Sequence, residues 1–381
     1  MRVLKEQTTG LLLKSFLLNN KDYLCVTALH YFDLNNPEEP LKEADMWKDC
    51  MKELNKEILD LAMPKPNAEV LVCGSCHNPV ESESASHVKL KVGEISKELF
   101  VFGERFWNEG QISRVESFKQ MPLTYANSFG GEGFAKNPIG KGYNDSIELP
   151  NIEAPNALTS SKNEESDPAG FMPYDISWEQ CSSKLGTYDE EWKNELWPGF
   201  AADMDYTYFN RAPQDQQQQK YFRGAEEIAV VNMHPKHHLL LSSIPELSIR
   251  SFTTSTLKDD EELFEEIEMR RDTLWLFPEI QKGILIFRGT KEVKDEEYSN
   301  VEYLNLKAFR VEDEPKNLDE VYELQKKELS RTADVDSSAM NAAQAKIEEA
   351  KKEVFDIPRA FKESIAQNRG ELPTLQQTPD E

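Results

Sequence analysis

Nowhere does the chain run to the roughly 18 consecutive apolar residues that a membrane-spanning helix requires. The opening stretch, MRVLKEQTTGLLLKSFLLNN, is interrupted by Lys14 and is followed by no small-residue cleavage site, so it does not read as a secretory leader. Basic residues are scarce. The 381 residues hold 44 Lys and Arg against 69 Asp and Glu, a formal net charge of -25. That balance speaks against nucleic acid and anionic membranes, which are gripped by clustered cations, and suits a partner with a basic surface. Cysteine is sparse and odd in number: Cys25, Cys50, Cys73, Cys76 and Cys181. Such a set is no disulfide framework, and reduced thiols in the cytoplasm are expected.

What is present suffices for a core, with 39% hydrophobic and 10% aromatic residues. Residues 8–34 read as a β-hairpin. Leu11, Leu13, Phe16 and Leu18 precede an Asn19-Asn20-Lys21-Asp22 turn, and Tyr23, Cys25, Thr27, Leu29 and Tyr31 alternate after it. Over 41–62, Trp47, Met51, Leu54, Ile58 and Leu61 recur at spacings of three and four, which predicts a helix stopped by Pro64 and Pro66. Strands are expected again over 68–102, with a Gly93–Ser96 turn, and over 221–310. Within the latter, 258–270 suits helix or strand equally. Residues 103–215 are punctuated by prolines and lack periodicity, yet their many aromatics argue for ordered loops. The polar insert Ser160–Asp167 is the expected flexible piece. After about residue 315 the chain turns helical. Asn317 and Glu320 make a capping-box-like start, and Met340, Ala343, Ile347, Ala350 and Val354 form a narrow docking seam.

Several motifs invite chemistry. Cys73-Gly74-Ser75-Cys76-His77 matches the spacing of covalent haem attachment, and His77 and His87 could complete a zinc set. A strand end followed by Asn78-Pro79 favours a turn carrying ordinary thiols. His234-Pro235-Lys236-His237-His238 reads as a turn with exposed imidazoles. Asp203 and Asp205, among Trp192, Trp197, Tyr206, Tyr208 and Phe209, could act as paired carboxylates on a carbohydrate, or could cap turns. The glycines at 130–133 and 140–142 lack the strand–loop–helix context of a phosphate cradle.

Taken together, FGERFW at 102–107, PLTYANSFGGEGFAKNPIGKGY at 122–143, LPNIEAP at 149–155 and DPAGFMPYDISW at 167–178 resemble a family of unknown-function domains found in type VI secretion loci. LGTYDEEW at 185–192, PGFAADMDYTYFNRAPQDQQ at 198–217, VNMHP at 231–235 and DTLWLFPEIQKGILIFRGT at 272–290 continue the likeness across roughly 10–290. The resemblance implies a bacterial cytoplasmic adaptor or chaperone. Its partners would be a PAAR-bearing effector, to be loaded for secretion, and the spike protein VgrG. It implies no catalytic residue, no cofactor and no metal. The helical tail lies outside the resemblance.

Rigid Gly- and Pro-rich loops bearing large amphipathic side chains fit a binding role, since such residues dominate interface hot spots. Arg105, Trp107, Arg114, Tyr125, Phe129, Tyr143, Trp178, Trp192 and Phe209 are the candidate partner-binding residues. The competing reading is that most of them fill the core. The expected architecture is mainly β (α+β). A sandwich or distorted barrel with long ordered loops and one early helix covers 1–312, followed by a helical extension over 313–370 and a flexible tail over 371–381. The main alternative function is a carbohydrate-acting hydrolase using Asp203 and Asp205; a metal or redox protein using Cys73 and Cys76 is the third.

Overall fold

The computed structural model describes residues 2–5, 8–18, 21–43, 45–46, 63–162, 164–256, 262–293 and 301–332. Most of the helix expected over 41–62, the Asn19-Asn20 turn, the Met340–Val354 seam and the 371–381 tail lie outside them. The chain divides into two compact units, Met1–Glu314 and Pro315–Glu381.

The first unit is built of strands. Its largest sheet runs β15 (Gln217–Gln218), β5 (Ala68–Val72), β20 (Arg270–Phe277), β21 (Lys282–Val293), β3 (Lys21–Asp33), β2 (Thr9–Leu18), with β4 (Asn36–Pro40) also paired to β3. A second sheet runs β14 (Ile152–Glu153), β8 (Ile95–Phe102), β7 (Ala85–Val92), β16 (Glu227–Val231), β17 (Leu239–Ser243). A third runs β1 (Arg2–Leu4), β22 (Val301–Arg310), β18 (Leu247–Thr256), β19 (Glu262–Ile267). Small ribbons pair β9 (Trp107–Asn108) with β10 (Gln111–Ile112), β6 (Ser75–His77) with β11 (Gln120–Pro122), and β12 (Phe129–Gly130) with β13 (Lys141–Gly142). The protein is mainly β, and its sheets do not close into a barrel.

Period-two alternation explains the core. In β7, Val88, Leu90 and Val92 point inward while Lys89 and Lys91 face out. They meet Val26 and Ala28 of β3 and Leu304 and Leu306 of β22 in one interior shared by all three sheets. Each such side chain contributes about 1.5–3 kcal/mol on burial. The intervening residues of β3, Leu29 and Tyr31, enter a second core with Trp275, Phe277, Ile284 and Ile286. β3 therefore carries apolar residues on both faces. The 258–270 ambiguity resolves as strand in its described part, with Ile267 buried.

The outer flank of β5 meets the 203–217 loop, fastened by polar side chains. Buried Glu69 pairs with Lys65 and accepts from Asn210 Nδ2 (3.2 Å) and the Ala212 amide (3.1 Å). Gln216, fully buried, donates to the carbonyls of Val70 (2.7 Å) and Phe171 (3.0 Å). Loop residues without hydrophobic periodicity thus satisfy buried backbone groups that a strand or water would otherwise serve. Two short helices, α1 (Glu179–Ser182) and α2 (Glu190–Glu195), interrupt the loops.

In the second unit, α3 (Leu318–Thr332) starts as expected. The Glu320 amide donates to Asn317 Oδ1 (2.9 Å), and Asn317 Nδ2 returns a bond to Glu320 Oε1 (3.2 Å). No helix among the described residues is long and apolar enough to cross a membrane.

Candidate partner-binding surface

The nine candidate residues divide by burial. Arg105, Tyr125, Phe129, Trp178 and Phe209 are buried. Trp107, Tyr143 and Trp192 are half-buried, and Arg114 is exposed. For the first five, presentation to a partner gives way to packing. Tyr125 stacks on Tyr174 and meets Trp178 edge-on, both at 5.2 Å between ring centroids, while its hydroxyl donates to the Met172 carbonyl (2.9 Å). Phe129 packs on Phe134 (5.3 Å), which also meets Tyr143 (5.0 Å). Phe209 lies 5.9 Å from Phe200. Trp192 is held by its indole N–H on the Gly199 carbonyl (2.9 Å). Such clusters give irregular backbone the rigidity that regular ladders give strands.

Arg105 fixes one loop assembly to the core. Its guanidinium pairs with buried Glu153 (2.8 Å), donates to the Pro150 carbonyl (2.8 Å) and lies 4.0 Å from the Phe102 ring centroid. Directly after it the chain forms the β9–β10 hairpin through Glu109 (φ 47°) and Gly110 (φ 82°), the two positive-φ positions of a tight hairpin turn. Trp107 lies opposite Ile112 in this hairpin. On its other side, Phe106 bridges Glu148 in antiparallel fashion and the Trp107 amide donates to the Ile147 carbonyl (2.7 Å). Opposed residues of an antiparallel pair share a face. Ile112, Trp107 and Ile147 therefore stand in a row, with Ile112 38% and Ile147 63% exposed. The row is an apolar patch centred on a tryptophan, with exposed Arg114 two residues beyond Ile112. The two isoleucines were missed in the sequence. For Ile112 the available signal is Glu109-Gly110, a two-residue turn that sets it across from Trp107, whereas Ile147 arrives from a distant segment that no local pattern marks.

The residues suggestive of catalysis do other work. Asp203 accepts from the amide and hydroxyl of Thr187, both at 2.8 Å, and Asp205 accepts from the Thr207 amide (2.8 Å). These bonds, led in each case by the backbone N–H, hold both carboxyl pKa values below the usual range. Asp205 caps its own turn and Asp203 ties its segment to Thr187; both are ionised, a poor state for a general acid. Cys76 is buried, and burial pushes its thiol up to about 11, away from a reactive thiolate. His77 Nε2 sits 2.6 Å from Glu279, which Gln120 also reaches (3.2 Å). Among the described residues, no three His, Cys, Asp or Glu side chains are placed to share a metal ion. In the histidine cluster, His237 and His238 are exposed as expected but His234 is buried. Its Nδ1 accepts from the amides of Lys236 and His237, both at 3.0 Å, and so caps the turn from within.

A framework of three β-sheets carries loops tied down by buried Asn, Gln, Arg and aromatic side chains. Over residues 19–288 the chain matches the model of a family described as an uncharacterized protein conserved in bacteria (DUF2169), and it belongs to that family. The matched span contains the β9–β10 hairpin, Ile147 and all nine candidate residues. No curated protein and no solved structure matches the chain.

Proposed function

We propose that the protein is an adaptor of type VI secretion that binds a PAAR-bearing effector and assists its loading onto the VgrG spike. The observation that carries the reading is the Ile112–Trp107–Ile147 row, apolar and outward on a ribbon whose base is pinned by Arg105 and Glu153. A chaperone needs such a preorganised face and no catalytic constellation. Membership of the bacterial family and the motif resemblance across the loops support the same reading, and the charge of -25 suits a basic client.

The test is co-purification of the full chain with the neighbouring PAAR effector and VgrG. Trp107→Ala and Ile147→Glu are expected to weaken capture of the effector by about tenfold or more, as hot-spot truncations do. Their melting temperatures should stay near the parent's, because both side chains lie outside the cores. Undiminished capture by both variants, or an effector that is soluble and secreted without this protein, would refute the reading.

A further inference from the structure

The second sheet ends on β17, and among the described residues no strand pairs with the outer side of that strand. Other sheet edges in the chain are blunted in ways that proteins use against strand addition. β14 and β15 are two residues long, β1 is three, β2 carries Lys14 and β19 carries three glutamates. β17 has none of these protections: Leu239–Ser243 reads LLLSS, five residues without a charge or a proline.

The hydrogen-bond parity of β17 fixes what its outer side presents. The Asn232 amide donates to the His238 carbonyl (2.9 Å), and the Ile244 amide donates to the Glu226 carbonyl (2.9 Å). In an antiparallel ladder, hydrogen-bonded positions alternate along each strand. His238, Leu240, Ser242 and Ile244 therefore turn their backbone groups toward β16, and Leu239, Leu241 and Ser243 turn theirs outward. Leu239 and Leu241 are also the residues whose side chains stand exposed on the sheet face. The edge thus offers what an added strand requires: a row of N–H and C=O groups, with apolar contact beside it.

Charge at the two ends selects the occupant. The turn before Leu239 carries exposed Lys236, and exposed Lys89 lies in the same cross-strand row as Leu239, through Val231. Beyond Ser243 comes exposed Glu246, whose amide donates to Glu38 (3.1 Å), and exposed Glu227 lies opposite Ser243. One end of the edge is cationic and the other anionic. A second copy of the chain, laid antiparallel, sets each cationic end against the anionic end of its partner.

We propose that β17 is the interface of a two-fold symmetric homodimer, in which two chains join edge to edge and antiparallel, Leu241 facing Leu241 and Leu239 facing Ser243, so that their five-stranded sheets become one. This register engages the outward backbone groups of all three residues. It also gathers the four leucines into one row as opposed and diagonal neighbours, the self-complementary contact that a two-fold axis demands. Continued past the strand, it brings Lys236 across from the partner's Glu246. Two chains of net charge -25 repel at long range, so the dimer is a concentration-dependent one. The interface is separate from the hairpin patch and stands independently of the adaptor reading.

The experiment is sedimentation equilibrium of the full-length protein from about 1 to 100 μM, a span that covers weak association. A monomer–dimer equilibrium is expected. Lys236→Glu and Glu246→Lys should each weaken it severalfold, because like charges then meet at both ends, and the double variant should restore it. Opposed Cα atoms of a hydrogen-bonded pair lie about 5.5 Å apart, within disulfide reach. With glutathione disulfide as oxidant, Leu241→Cys should therefore form a covalent dimer, as should a mixture of the Leu239→Cys and Ser243→Cys proteins. Leu239→Cys alone should give no more dimer than the parent. A monomer throughout the concentration range overturns the proposal, and so does a dimer that oxidised Leu241→Cys fails to trap.

Discussion

His30 shows how much a single side chain can dictate. It sits enclosed on β3, stacked on Phe32 at 6.4 Å, and neither ring nitrogen has a hydrogen-bond partner among the described residues. Burial alone pulls its pKa down to about 4. The unfolded chain takes up that proton near pH 6.5, so between these values the unfolded state holds more protons. The neutral ring's contribution to stability is complete above pH 6.5 and is lost as pH falls toward 4. The slope is up to about 1.4 kcal/mol per pH unit. Urea unfolding between pH 7 and 4 should therefore be visibly less pH-dependent in His30→Leu, and an unchanged slope would assign the dependence to other groups. Asn137 makes a second case. Fully buried, it donates to the carbonyls of Tyr125 (2.8 Å) and Phe129 (2.9 Å) and so sets the loop that carries both aromatics. Asn137→Ala strands two buried acceptors and is expected to cost about 2–4 kcal/mol in thermal or chemical unfolding. A loss under about 0.5 kcal/mol, the level of an ordinary surface change, would show that water replaces it. Neither role is legible in the sequence, because an Asn or His looks the same whether it faces solvent or a carbonyl. For the same reason Arg105, Tyr125 and Trp178 were chosen for their type and found turned inward.

At the level of elements, alternation was the readable signal. The 8–34 hairpin, β7 and β8 follow directly from it, and the Asn317–Glu320 spacing gave the helix start. Within the strands expected over 221–310, residues 238–249 are divided between two: β17 ends at Ser243 and β18 begins at Leu247. Pro245 supplies no backbone N–H for a continuing ladder, and the chain switches sheets there. β17 is consequently the last strand of its sheet. Leu240 turns into the core, while Leu239 and Leu241 face out at 48% and 69% exposure. An edge strand carrying exposed leucines invites pairing with another chain. Leu241→Lys should lower self-association at high concentration, read by light scattering, with stability changed by no more than about 0.5 kcal/mol. Equal scattering from both proteins would show that this edge is protected. The loops of 103–215 were legible only as ordered. Their register depends on contacts such as Gln216 with Val70 and Arg105 with Pro150, between residues far apart in the chain, and no local pattern encodes those.

For the molecule as a whole, the excess of 25 negative charges acts against compaction, and salt screens it. Raising NaCl to about 0.5 M should lift the melting temperature by a few degrees, since the Debye length then falls well below 10 Å. A drop would mean that the surface ion pairs outweigh the general repulsion. The topology has a consequence of a different kind, in time. β3 is completed only by β21, where Asp33 meets Lys282 and Asp22 meets Val293, and β1 is held only by β22. A ribosome adding about 5–20 residues per second reaches β21 on the order of tens of seconds after β3 has emerged. During that interval the twice-apolar strand has β2 on one side and nothing on the other. Its assembly is set by the most distant contacts in the chain, the condition under which domains fold slowly. The first half of this protein must therefore be kept from misassociation until the last strands are made.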